Sequence, residues 1–325
     1  MPSSEFSIIE EFFAINSAQG MMPTLGIGDD CAVLDIPSDK QLAVSTDTLV
    51  EDVHFLSNSD PRLLGHKALA VNLSDIAAMG ATPTWVSLAI TLPAIDKGWL
   101  SSFSQGFFAL AKEHSVQIIG GDTTRGPLSI TVNIMGLLPN GQCLARSGAK
   151  VGDAIYVSGT IGNAGLGLKK AIKADVDQKD PDVGSYLKPE PCVSLGEAIL
   201  SMANSCIDVS DGLSADLNHI LKASHVGATI SHEDMPFTQS VKEYMEENND
   251  DLWPYSTGDD YQLCFTMPPQ TSISELATYD VTKIGVIEEK QGLRIKFNDG
   301  KLITLNKGFD HFQPVSGELG ISTAE

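Results

Sequence analysis

KALAVNLSDIAAMG, residues 67–80, closes a helical segment that opens at Asp60-Pro61 and carries Leu64, Ala68, Val71 and Ile76 inside it. Proline at the first helical position and Gly80 just past the last fit the usual asymmetry of helix ends. Asp75 breaks the pattern. It stands between Leu73 and Ile76-Ala77-Ala78, where an acid normally avoids burial, unless it faces solvent from the helix interior. Five further Asp clusters lie outward from it: Gly28-Asp29-Asp30, Ser45-Thr46-Asp47, Gly120-Gly121-Asp122, Asp208-Val209-Ser210-Asp211 and Gly258-Asp259-Asp260. Each has small or hydroxyl neighbours, and most end an apolar run. A fold that gathers them holds several carboxylates at one point, and their repulsion calls for cations. Hard divalent ions take oxygen ligands, and Mg²⁺ usually binds substrate phosphates as well.

At 325 residues, with 42% hydrophobic content, the chain is long enough for two domains with buried cores. The boundary is expected near Pro139-Asn140-Gly141 and the polar stretch Arg146 to Asp153, giving domains 1–139 and 140–325. No apolar run reaches transmembrane length, and the N-terminus lacks the basic and apolar regions of a signal peptide. The five cysteines form no CxxC pair, lie in or near apolar stretches and read as reduced core thiols of a cytoplasmic protein. A net charge of −21 argues against non-specific nucleic-acid binding. Part of that acidity, such as EYMEENNDD at 243–251, is an ordinary solvated face.

The spacing predicts helices over 4–16, 60–80, 95–113, 192–203 and 213–223. Strands are expected over 42–45, 84–92, 116–119, 128–138, 154–158 and 206–209, with short ones at 262–266, 283–287, 293–297 and 302–305. Residues 158–167 read as a glycine loop and 174–191 as an exposed loop. Strands mixed with helices in both halves indicate an α/β (α+β) architecture.

Each site has a plain structural alternative. Asp29-Asp30 is also an ordinary acidic turn. Thr46-Asp47 at a strand end places a hydroxyl and a carboxylate where one ion takes both. Asp122 ends the strand at 116–119. Asp208 and Asp211 bracket a strand-to-helix turn, where Ser210 or Asp211 equally serves as a helix cap. The loop at 158–167 matches neither a Walker A loop nor a dinucleotide fingerprint. His54 has no local partner that makes it a metal ligand. No HExxH or Gly-x-Ser-x-Gly motif supports zinc chemistry or acyl transfer.

With these segments assembled, the chain resembles the thiamine-monophosphate kinases, within the aminoimidazole-ribonucleotide synthetase-like superfamily of ATP enzymes. The matching stretches are GIGDDCAVL (26–34), STDTLVEDVHF (45–55), KALAVNLSDIAAMGATP (67–83), GGDTTRG (120–126), RSGAKVGDAIYVSGTIGNAG (146–165), DVSDGL (208–213), GDDYQLCFT (258–266) and GFDHF (308–312). The resemblance implies ATP-dependent phosphorylation of thiamine monophosphate to thiamine diphosphate. It assigns Asp30, Ser45, Thr46, Asp47, Asp75, Asp122, Asp208 and Asp211 to several Mg²⁺ ions. Gly121, Asp122, Arg146 and Ser210 are assigned to ATP, and His54, Asp259 and Phe309 to the thiamine substrate. It further implies two α/β domains, the N-terminal sheet pairing across a homodimer interface and a C-terminal mixed sheet flanked by helices. One motif departs from the family: the usual Gly-Glu-Asp-Tyr-Glu-Leu reads Gly258-Asp259-Asp260-Tyr261-Gln262-Leu263, one methylene shorter at 259.

The acceptor phosphate has a second pKa of about 6 and is ionised near neutrality, so no strong general base is needed and none is assigned. The rivals are another ATP-dependent enzyme of the superfamily, such as a purine cyclo-ligase, and a non-catalytic nucleotide- or cation-binding regulator. Selenophosphate synthesis lacks its reactive Cys and Lys within the first 25 residues, and the chain ends without the cysteine of hydrogenase-maturation relatives.

Overall fold

The computed structural model describes residues 8–13, 20–173, 177 and 179–305. The expected substrate aromatic Phe309 and most of the helix expected over 4–16 lie outside them; a π-helical turn at Ile9–Phe13 buries Phe12 and Phe13. The remaining elements are β1 (Lys40–Val50), α1 (Pro61–Ala78), β2 (Thr82–Leu92), α2 (Lys97–Glu113), β3 (Gln117–Arg125), β4 (Ser129–Pro139), β5 (Ala154–Ser158), α3 (Asn163–Ala171), α4 (Pro181–Leu187), α5 (Val193–Ile199), β6 (Ser205–Val209), α6 (Leu213–Ser224), β7 (Gly227–Ser231), α7 (Gln239–Asn248), β8 (Gln262–Met267), β9 (Val281–Glu288), β10 (Gly292–Lys296) and β11 (Leu302–Leu305).

The strands form a four-stranded sheet in the order β1-β4-β2-β3 and a seven-stranded sheet in the order β11-β10-β7-β9-β5-β8-β6. In the first sheet only β2 and β3 pair in parallel. In the second only β10 and β7 do, so both sheets are mixed.

Helix α1 lies between the two sheets. Asp60 caps it, its carboxylate accepting from the Arg62 and Leu63 amides at 2.8 and 3.1 Å, and Gly80 follows its end with φ +69°. It is buried along nearly its whole length, the polar His66, Lys67, Asn72 and Ser74 included. One side crosses α2 so closely that a Cβ on Gly65 would sit 2.1 Å from the Phe103 carbonyl, and one on Gly106 would sit 1.8 Å from that of Arg62. The largest core cluster runs from Leu64, Phe103 and Ile130 to Ile199, Leu263 and Phe265, so it spans the expected domain boundary. A second cluster, with Ile207, Leu217, Ile230 and Ile284, fills the far face of the larger sheet under α6.

Several sequence expectations need correction. β1 and β3 extend well past their apolar runs, so Thr46-Asp47 and Gly121-Asp122 lie inside strands rather than at their ends. Ahead of β1, residues 31–36 make one isolated bridge, Val33 with Leu25. The glycine loop gives way to α3 at Asn163. The stretch read as an exposed loop contains α4, which buries Val183 and Tyr186. The cysteines are free, but only Cys206 and Cys264 are buried, while Cys31 and Cys143 are exposed.

Candidate functional site

Polar groups on α1 face a partner from almost every element around them. His66 Nε2 lies 2.8 Å from the Pro189 carbonyl. Asn72 accepts from the Asp47 amide at 3.2 Å, tying α1 to β1. Asp75 accepts from the Ser45 hydroxyl at 2.5 Å. Ser74 donates to Asp208 at 2.9 Å, and Lys67 donates to Asp259 at 3.3 Å. The Asn72 and Asp75 contacts stay within the first lobe (1–139), whereas those of His66, Ser74 and Lys67 reach the second (140–325), the last two meeting carboxylates. The strand-to-helix turn after β6 thereby brings Asp208 and Asp211 towards Asp47 and Asp75.

Electrostatics express that convergence. Burial raises the Asp47 carboxyl to about 6, with Asp75 and then Asp211 adding repulsion. Burial raises Asp208 to about 7, again with Asp75 and Asp47 repelling, while the Ser74 hydroxyl and Arg146 favour its charged form. Asp75 is raised by burial and eased by Ser45 and Arg146. Asp216 rises to about 8 through burial, then Asp208 and Asp211; its carboxylate accepts from the Ser210 and Asp211 amides at 3.1 and 3.0 Å. Four proposed ligands from β1, α1 and the β6–α6 turn therefore feel one another, with Arg146 on the same cluster.

Such a donor set is all oxygen, and carboxylates raised by their own crowding fit hard divalent cations. Among the described residues, no three His, Cys, Asp or Glu side chains form a group that could hold an ion unaided. Mg²⁺ is usually bound through one or two carboxylates plus substrate phosphates and water.

The remaining predicted residues are placed differently. Asp30 is exposed on the segment that lays Ala32 and Leu34 against Trp85. Side chains alternate along a strand, so Thr46 faces away from Ser45 and Asp47, and its hydroxyl accepts from Asn133 at 2.6 Å. Asp47 is level with Val132, Leu88 and Gly121 across the first sheet. That puts Gly121 three strands away, or about 14 Å. Asp122, one residue on, is exposed on the opposite face. Within one chain, then, Thr46, Gly121 and Asp122 do not meet the buried cluster. His54 follows β1, its Nδ1 accepting from the Val50 amide at 3.0 Å.

The motifs single out neither Lys67 nor Asp216. Lys67 is only 2% exposed; burial lowers its pKa while Asp259 pulls it back up. A lysine eight residues before Asp75 in an apolar helix was the available signal. Asp260 serves the backbone instead, its carboxylate accepting from the Gly162 and Ala164 amides at 2.7 and 3.1 Å and so capping α3.

Residues 28–138 match the family profile described as AIR synthase related protein, N-terminal domain, and residues 150–298 the corresponding C-terminal domain. Escherichia coli (strain K12) thiamine-monophosphate kinase is 46% identical over 324 residues, covering 96% of this chain and 99% of that protein. The chain belongs to the thiamine-monophosphate kinase family. The solved family member from Stenotrophomonas maltophilia K279a superposes with a TM-score of 0.78 at 40% identity, over 86% of this chain and 92% of that one. The structure described as AaThiL complexed with AMPPCP and TMP gives a TM-score of 0.75 at 33% identity, over 88% and 92%.

Proposed function

We propose that the carboxylates gathered around α1 hold Mg²⁺ for the family reaction, the ATP-dependent phosphorylation of thiamine monophosphate to thiamine diphosphate. The observation that carries this reading is the mutual approach of Asp47, Asp75, Asp208 and Asp211 from both lobes, in a chain whose relative binds an ATP analogue and TMP. Bound there, Mg²⁺ offsets the repulsion between two phosphorylated ligands and stabilises charge in an in-line transfer.

The chain's own residues do the positioning. Ser45 and Ser74 hydroxyls orient Asp75 and Asp208, and Asp216 fixes the Ser210-Asp211 turn through two amides. Arg146 supplies a fixed cation for the nucleotide beside Ser210. His54 and Asp259 take the thiamine portion, with Phe309 as a further contact. Transfer is direct, because the acceptor phosphate is already ionised near neutrality; trapping a phosphorylated protein intermediate on the pathway would overturn that point.

The reading extends to assembly. The outer face of the first sheet exposes Leu42 and Val44, at 39% and 57%, on its edge strand. We place a homodimer contact there. Thr46 and Asp122 lie on the same face, so their metal roles, with Asp30, draw on the second copy rather than on the cluster inside one chain. The two lobes, 1–139 and 140–325, then act as one unit sharing a core. The free thiols suit the reducing cytoplasm, and among the described residues no helix is long and apolar enough to cross a membrane. Incubation with ATP, Mg²⁺ and thiamine monophosphate, followed by chromatography for thiamine diphosphate, tests the assignment. A Mg²⁺-dependent ATP complex with no turnover would favour the regulator instead.

A further inference from the structure

Lys67 is buried in α1, yet its ammonium reaches out of the first lobe into the second. Nζ lies 3.3 Å from Asp259 Oδ2 and 3.8 Å from the centre of the Tyr186 ring. The other carboxylate oxygen of Asp259 accepts from the Tyr261 hydroxyl at 3.0 Å. The backbone around it is unusual: Asp259 and Tyr261 both have left-handed φ, +68° and +48°. Only glycine adopts that region freely, and bulky side chains there are strained. Amide bonds from Asp259 to the Ser210 carbonyl at 2.9 Å and from Tyr261 to the Val209 carbonyl at 2.8 Å hold the turn. The left-handed turn, the Lys67 ammonium and the Tyr261 hydroxyl together aim one carboxylate, whose side chain remains 28% exposed.

The plainer reading makes the ion pair a clamp between lobes. A buried ion pair is a poor way to gain stability, since apolar side chains of similar volume often do as well or better. Ser74 and Asp208 already join the same surfaces. Lys67 also lines a small depression with Phe55, Ser59, Leu63, Leu64, Tyr186 and Leu187.

We propose that Lys67 is a positioning residue for the acceptor, acting through Asp259: its ammonium fixes where the shortened carboxylate meets the cationic thiazolium-bearing portion of thiamine monophosphate. The inference rests on the substrate assignment above. With aspartate where the family has glutamate, a tethered carboxylate has no slack to find the ring by itself.

Steady-state kinetics of Lys67→Met, Lys67→Arg, Asp259→Asn and the Lys67→Met/Asp259→Asn double variant test it, after unmodified chain is assayed with thiamine monophosphate. No turnover by the unmodified chain counts against the kinase reading; titration of the same proteins with thiamine monophosphate then reads the Lys67 effect as a change in Kd. Lys67→Met should raise the KM for thiamine monophosphate roughly tenfold, leaving kcat and the KM for ATP within about twofold. Lys67→Arg should recover part of the loss, and the double variant should bind no worse than Asp259→Asn alone, the non-additivity expected of one unit. An unchanged or lowered KM (or Kd) in Lys67→Met, or losses that add in the double variant, would overturn the proposal. A lowered melting temperature with normal KM would identify a clamp.

Discussion

Asp75 accepts a hydroxyl from β1, and its charge repels the Asp47 and Asp208 carboxylates of β1 and β6. Replacing it by asparagine removes repulsion while keeping the shape. Asp75→Asn should therefore lose at least ~10²-fold in kcat/KM, the scale of a lost electrostatic contact to the transition state. Its melting temperature should stay level or rise. A parallel fall in both would make Asp75 structural. The Lys67–Asp259 pair predicts an asymmetry in stability. Asp259→Ala leaves an ammonium buried without its counter-charge and should cost about 3 kcal/mol, whereas Lys67→Met leaves a carboxylate that water reaches. Denaturant titrations of the two variants check the order. The residue motifs pointed to Asp75, Asp208 and Asp211 because an acid in an apolar run is conspicuous. Lys67 is conspicuous as a lysine in an apolar helix, but its role is hidden because its partner lies 192 positions away.

Among elements, α3 shows how an acid in a metal-like motif serves the backbone. Gly162 offers no side chain to cap the helix, and Asp260 supplies the acceptor from a distant loop. Burial raises that carboxyl from 3.8 to about 7. The folded state thus holds its proton more tightly than the unfolded state, and stability attributable to Asp260 declines as pH rises from about 4 to about 7. Melting temperatures of unmodified chain and Asp260→Asn, followed across that range, should converge at low pH in their slope and differ as pH rises. Parallel curves would refute the shift. The helix itself was hidden by its glycines: a Cβ at Gly165 would meet the Thr257 hydroxyl at 1.6 Å and one at Gly167 the Asp182 carbonyl at 1.9 Å. Close packing, not a phosphate loop, requires them. By contrast α1 was legible at both ends, because Asp60-Pro61 and Gly80 are local signals. β1 and β3 outrun their apolar stretches because Ser45 to Thr48 lie within β1 and Asp122 to Arg125 form the end of β3.

At the scale of the molecule, the core is continuous from α2 through α1 to β5 and β8. Composition alone suggests two domains with separate cores, since hydrophobic pattern marks elements but not which sheets share a helix. The outer face of the first sheet carries the remaining expectation, a homodimer that brings Asp122 into play. Val44→Glu should shift the chain to monomer in light scattering and depress turnover together. A fully active monomer would remove Asp122 and Thr46 from the site. Whether aspartates from both lobes converge around α1 to support phosphoryl transfer between two phosphorylated ligands is decided by thiamine diphosphate formation from ATP and thiamine monophosphate, with Mg²⁺ present or chelated, in the unmodified chain and Asp208→Asn. Mg²⁺-dependent product is expected from the first and at least a ~10²-fold loss in the second; product made equally well by Asp208→Asn, or without Mg²⁺, would overturn the metal role of these carboxylates.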